Sequence, residues 1–197
     1  MNKTRLLPLL GLVACGALYV GIVSRSHKQP APNPVKNDKD RRQAPEFALN
    51  DANGRVVHLA DYKGKVVLLD FWATWCGPCN IEIPWFKDFE RKYKDRGFEV
   101  LGVSMDDEGW KAINPFVSLK KVNYRIVLGD DKTSELYGGI EALPTAFVID
   151  RDGRIASVHV GLPGKEDFEN AIEKLLETPA IQPDNNVRGK SHRADES

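Results

Sequence analysis

Apolar and polar positions divide this chain into blocks of different character. Residues 6–23 form an unbroken apolar run led by Lys3 and Arg5. At 1.5 Å per residue the run reaches about 27 Å, close to the hydrocarbon thickness of a bilayer. Residues 24–43 carry Pro30, Pro32 and Pro34 among many charges, with almost no large apolar side chain. Such a stretch buries too little to order itself, which predicts a flexible tether. From residue 44 to residue 177 the pattern is that of a folded domain. A turn signal, Asp51-Ala-Asn-Gly54, precedes the β-branched stretch 55–59 and predicts an N-terminal hairpin. A loop over 59–65 leads into the apolar run 66–69, a buried strand that continues to Phe71.

A mixed segment then reads as a helix to about residue 96. Residues 98–104 form a second buried strand, and the strand–helix–strand order makes the two strands parallel. Residues 108–121 predict a helix interrupted by Pro115, 124–128 a short strand and 133–137 a helical turn. Residues 145–150, the pair Asp152-Gly153 and residues 154–160 predict a second hairpin. A closing helix over 165–176 aligns Phe168, Ile172, Leu175 and Leu176 on one face. From residue 178 onward the chain is polar and reads as a disordered tail.

Charge sharpens this division. Lysine plus arginine and aspartate plus glutamate balance at 28 each, which argues against nucleic-acid binding. The balance is uneven along the chain, however: residues 1–44 carry a net +6 and residues 45–178 a net −6. Three readings of 6–23 compete. One is an uncleaved signal anchor, favoured because the apolar run persists to Val23. The second is a lipoprotein signal, with Leu12-Val-Ala-Cys15 as the lipobox and Cys15 lipidated. The third is a cleaved signal with a small-x-small site at Ala14-Cys15-Gly16. Each places the domain outside the cytoplasm. The basic residues from Arg25 to Arg42 oppose that by the positive-inside rule, or rest on anionic lipid; the short N-terminal stretch outweighs them.

The candidate chemistry lies at Cys76-Gly77-Pro78-Cys79, where the buried strand gives way to the helix. A sulfur at a helix start faces unpaired backbone N–H groups and the positive end of the dipole. Both favour thiolate over thiol and lower the Cys76 pKa below the free value of about 8.5. Cys79, three residues on, shares the helix face and lies within reach for a disulfide. Three cysteines are too few for a disulfide scaffold, and there is no second ligand pair for a zinc ribbon. Asp70, which ends the apolar strand six residues before Cys76, is costly to bury and should have a raised pKa; the alternative is a carboxylate satisfied by backbone N–H groups. Glu82 lies one turn beyond Cys79 on the same face, with a solvated helix Glu as the alternative.

The strand and the run Trp72-Ala-Thr-Trp-Cys-Gly-Pro-Cys79, with Pro84 five residues after Cys79, resemble the thioredoxin superfamily. The wording around Trp75-Cys76 and Glu82-Ile83-Pro84 resembles its membrane-attached TlpA/ResA type over residues 44–177. The resemblance implies a thioredoxin-like three-layer α/β fold with a mixed central sheet, an N-terminal hairpin and a helix–strand insertion over 107–138. It implies Cys76 as the attacking thiolate and Cys79 as the resolving thiol, with no cofactor beyond their disulfide. Asp70 matches the buried acid through which thioredoxin exchanges a proton with its second cysteine, where many TlpA/ResA-type proteins have Asn. Glu82 matches the acid that ResA-type proteins place near their cysteines. Leu143-Pro144-Thr145 resembles the cis-proline loop that faces the cysteines and pairs with substrate backbone. Gly161 matches a glycine beside the substrate groove. Trp75, Gly77 and Pro78 complete the expected contact surface, while Trp72 reads as core. The Gly-Pro pair is that of thioredoxin, a reducing couple near −270 mV, which favours reduction of disulfides.

By the same resemblance the substrates are protein disulfides, such as apocytochrome c cysteines or assembling copper-site proteins. A membrane thiol donor of the DsbD/CcdA kind would recharge the protein. Two alternatives share the fold. A peroxiredoxin-type peroxidase requires Pro-x-x-x-Thr/Ser-x-x-Cys, and this chain has Leu69 and Ala73 in the proline and hydroxyl places. A copper chaperone of this fold uses Cys-x-x-x-Cys with a distant histidine, whereas the spacing here is two.

Overall fold

A computed structural model describes residues 34–178. The apolar run 6–23, Cys15 and the tail beyond 178 lie outside the described residues. Strand β4 (Val66–Trp72) forms the centre of a six-stranded sheet and is buried along its whole length. It runs parallel to β5 (Phe98–Ser104), which runs parallel to the short edge strand β6 (Arg125–Leu128). On its other side β4 pairs antiparallel with β7 (Thr145–Ile149), and β7 pairs antiparallel with β8 (Arg154–Val160). The outer edge of β8 is covered by β1 (Arg42–Gln43). The sheet is therefore mixed, as expected.

Alternation along β4 splits the core in two. Val66, Leu68, Asp70 and Trp72 share one face. Ile83, Phe86, Phe89 and Tyr93 of helix α1 (Gly77–Tyr93) pack there, with Phe168 and Ile172 of α4 (Lys165–Glu177). Ile113 of α2 (Trp110–Lys120) joins the same layer. Val67, Leu69 and Phe71 face the other way, toward a hairpin of β2 (Ala48–Asn50) and β3 (Val56–His58). Tyr137, after the short α3 (Asp131–Leu136), closes that layer with ring contacts to Phe71 and Phe147. The N-terminal hairpin and the helix–strand insertion stand where the pattern puts them.

Three local readings need correction. Residues 34–43 are docked rather than loose. Lys36 N–H donates to the Ala156 carbonyl, and the half-turn Asp38–Asp40 leads into β1. Arg41, with a side chain only 6% exposed, pairs with buried Asp150 at 2.9 Å, while Arg154 holds Asp38 at 2.6 Å. Charges that read as solvent-loving tether are thus paired across the β8 edge. Pro115 does not interrupt α2, which runs on to Lys120. The carbonyl deprived of its partner belongs to exposed Lys111, where water is at hand. Finally, the loop after β3 is a 3₁₀ turn over Leu59–Tyr62 that buries Leu59 and Tyr62.

Candidate active site

The site lies at the C-terminal end of β4, where open α/β sheets place their reactive groups. Past Trp72 the chain leaves the sheet through Ala73, Thr74 and Trp75. Buried Asp106 fixes this loop. Its carboxylate accepts the Thr74 N–H at 3.0 Å, the Thr74 hydroxyl and, at 2.7 Å, the Ser104 hydroxyl. Asp106 lies just beyond Ser104, which is the register partner of Trp72. Sequence reasoning passed over it, although a carboxylate at the C-terminal end of the neighbouring parallel strand was a usable signal.

Cys76 is the N-cap of α1, in extended conformation, and its sulfur accepts the Cys79 N–H at 3.2 Å. That is the position where Ser or Asp side chains satisfy the first orphan donors of a helix. Pro78, in the first turn, sits where no N–H is needed. Asn80 reaches back to the Cys76 carbonyl at 3.0 Å and steadies the entry to the helix. The two cysteines are joined as a disulfide with Cα atoms 5.3 Å apart, so the structure describes the oxidised form. Once reduced, a Cys76 thiolate would meet the same N–H and the positive end of the helix.

The two sulfurs differ in access. Cys79 is buried. Cys76, almost as buried as a residue, borders an open cavity of about 450 Å³ with Trp75, Gly77, Pro78 and Leu143. Met105, Ile140 and Glu141 line it too and were not anticipated, because they reach the site from either side of the insertion, far from Cys76 in sequence. Trp75 is 70% exposed beside the sulfur, whereas Trp72 is core. Leu143–Pro144 is a cis peptide, and the Pro144 carbonyl accepts the Gly161 N–H at 2.8 Å. Gly161 has φ +77, a left-handed backbone that favours glycine. Exposed Val160 and Leu162 flank it.

The core layer that holds Cys79 also holds a buried acidic pair. Asp70 is the fifth of seven β4 residues, inside the strand rather than at its end. It is 1% exposed, and its Oδ1 has no hydrogen-bond partner among the described residues. Satisfaction by backbone N–H groups therefore fails for that oxygen. Glu82 is equally buried, with both carboxyl oxygens unpartnered, so it is not a solvated helix residue. Burial pushes the Asp70 carboxyl far above the ordinary carboxylate range. Glu82 is raised as well, first by burial and then by the charge of Asp70, so the two acids sense each other. His159 is buried against Phe168 with its Nε2 bonded to Ser157, and His58 is exposed. Leu69 and Ala73, the positions a peroxidase would need as proline and hydroxyl, are both fully buried.

Comparison with known proteins places this geometry. The profile of the AhpC/TSA family matches residues 41–158. The thiol-disulfide oxidoreductase ResA of Bacillus cereus is 33% identical over 183 residues, covering 89% of this chain and 99% of that protein. ResA of Bacillus subtilis is 33% identical over 167 residues, covering 83% and 86%. A crystal structure of a putative thiol:disulfide interchange protein DsbE from Chlorobium tepidum superposes with a TM-score of 0.64 at 40% identity, covering 69% of this chain and 96% of that one.

Proposed function

The chain belongs to the AhpC/TSA family, as a relative of the ResA-type thiol–disulfide oxidoreductases, and on that premise we propose how it acts and on what. It is a thiol–disulfide oxidoreductase. In the proposed cycle the Cys76 thiolate attacks a client disulfide and forms a mixed disulfide, releasing one client thiolate. Cys79 passes its proton to the Asp70–Glu82 pair, a carboxyl of which takes it on its free oxygen and gives up its own, and attacks the Cys76 sulfur. The second client thiolate leaves and the Cys76–Cys79 bond closes. The observation that carries this reading is the asymmetry of the disulfide. One sulfur caps a helix at the edge of an open apolar cavity, and its twin is sealed inside the core layer that also holds two buried, unpartnered acids.

The work is done outside the cytoplasm, with residues 6–23 holding the protein at the membrane. The Gly-Pro pair supports the reducing direction. Clients are polypeptides carrying disulfides, with apocytochrome c cysteines a candidate class, and a membrane thiol donor of the DsbD/CcdA kind restores the dithiol. Pairing of client backbone beside Pro144, with Trp75 and Leu143 giving apolar contact, is how a client would be held. The test uses the reduced protein and insulin. Cleavage of the insulin disulfides is expected, with loss in Cys76→Ser and an accumulating mixed disulfide in Cys79→Ser, which also captures physiological clients. Insulin left intact by the wild-type dithiol would refute the reading.

A further inference from the structure

Seven buried side-chain polar atoms have no hydrogen-bond partner among the described residues, and five belong to one neighbourhood: Asp70 Oδ1, Trp72 Nε1, both Glu82 oxygens and the Tyr124 hydroxyl. Asp70 pairs in register with Gly102, and a Cβ built on Gly102 would lie 2.9 Å from Trp72 Nε1. The indole N–H therefore shares the strip of sheet that Asp70 faces. Tyr124 packs in the same core layer as Trp72, Cys79 and Ile83. Its hydroxyl is buried and senses the charges of Asp70, Glu82 and Glu90, which raise its pKa after burial itself. Isolated, each atom would cost stability. Together they offer donors and acceptors for internal water, the usual partner of such groups.

Tyr124 also has an outer side. With Glu90, Lys94, Asn123 and Trp110 it lines an open cleft of about 380 Å³ on the β6 flank. That cleft shares no lining residue with the cavity at Cys76. A client bound as a mixed disulfide covers the Cys76 cavity at the moment Cys79 must lose its proton. We propose that the Tyr124 hydroxyl, through internal water, passes this proton between the Asp70–Glu82 pair and the flank cleft.

The inference rests on the proposed role of that pair. In the step, a protonated carboxyl of the pair takes the Cys79 proton on its free oxygen, the Cys76–client bond breaks and the Cys76–Cys79 bond forms. The client sulfur leaves with the electron pair. That carboxyl gives its own proton to the Tyr124 oxygen while the Tyr124 proton, from a hydroxyl that is itself buried, passes on through internal water toward the cleft, so the tyrosine carries no net charge. Glu90 borders the exit. Its carboxyl is raised by burial, accepts the Val100 N–H and pairs with Lys94. Glu99, Arg125, Asp51 and Arg55 are the other charged groups around the cleft. In this route Tyr124 acts through the acids, as a positioning and relay group, and not on the sulfurs.

Tyr124→Phe keeps the ring and removes the hydroxyl. In single-turnover stopped flow with a disulfide peptide, read by Trp fluorescence, attack by Cys76 should be unchanged. Decay of the mixed disulfide should slow about tenfold at neutral pH, with an altered solvent deuterium isotope effect and pH profile. An unchanged decay rate overturns the inference, as does slowing without change in isotope effect or pH profile, which marks a packing role. Asp70→Asn/Glu82→Gln separates the layers. If that variant resolves normally, the acid-pair reading itself fails. If it is slow while Tyr124→Phe is not, only the tyrosine route is lost.

Discussion

Replacing Asp70 with Asn keeps the shape of the side chain and removes its charge. In the folded, oxidised protein both Asp70 and Glu82 hold their protons far above the ordinary carboxylate range, because burial penalises the ionised forms. In the unfolded chain both ionise near pH 4. Above that pH the folded state binds more protons than the unfolded one, so stability falls as pH rises, until the folded carboxyls ionise in turn. Each such carboxyl contributes a slope of about 1.4 kcal/mol per pH unit. Between pH 5 and pH 7 the wild type should therefore lose about 2.7 kcal/mol more than Asp70→Asn. Glu90, also raised, and His159, which burial lowers, contribute equally to both proteins and cancel in the difference. Urea unfolding of the oxidised forms at pH 5, 6 and 7, where the cysteines do not titrate, measures that difference. Adding Glu82→Gln should remove a second slope of similar size. Parallel stability–pH curves for wild type and Asp70→Asn would refute the claim that this buried acid enters the neutral range protonated.

Asp106→Ala should strip the Thr74 N–H and the two hydroxyls of their acceptor, costing about 1–3 kcal/mol in thermal or urea melts. It should also slow insulin reduction, since the loop before Cys76 loses its anchor. Trp75→Ala, at an exposed position, should leave stability within about 0.5 kcal/mol while raising KM for a disulfide peptide more than it lowers kcat. A stability loss as large as that of Asp106→Ala would show that Trp75 is structural.

Much of this was legible because local rules sufficed. Seven apolar-leaning residues, a turn, a cysteine at the helix start and Pro78 in the first turn dictate β4, the cap and α1 together. The hairpins announced themselves through Asp51-Ala-Asn-Gly54 and Asp152-Gly153. What stayed hidden depends on residues far apart in sequence. Helical spacing places Glu82 on the face of Cys79 but cannot say what covers that face, and the covering layer includes Tyr124 from the insertion. Asp106 looks like one more surface acid until β5 is set beside β4. The docking of Arg41 depends on Asp150 more than a hundred residues away, so composition alone made the segment look free.

The strap that runs along the β8 edge also decides where mechanical load would enter the domain. Tension arriving from ahead of residue 34 meets the Arg41–Asp150 and Arg154–Asp38 latch first and is taken up by the rim of the sheet. β4 and the helix that begins at Cys76 lie two strands further in, behind β7 and β8. A pull on residue 34 would thus be absorbed at the margin of the sheet before it reached the spacing of the two sulfurs.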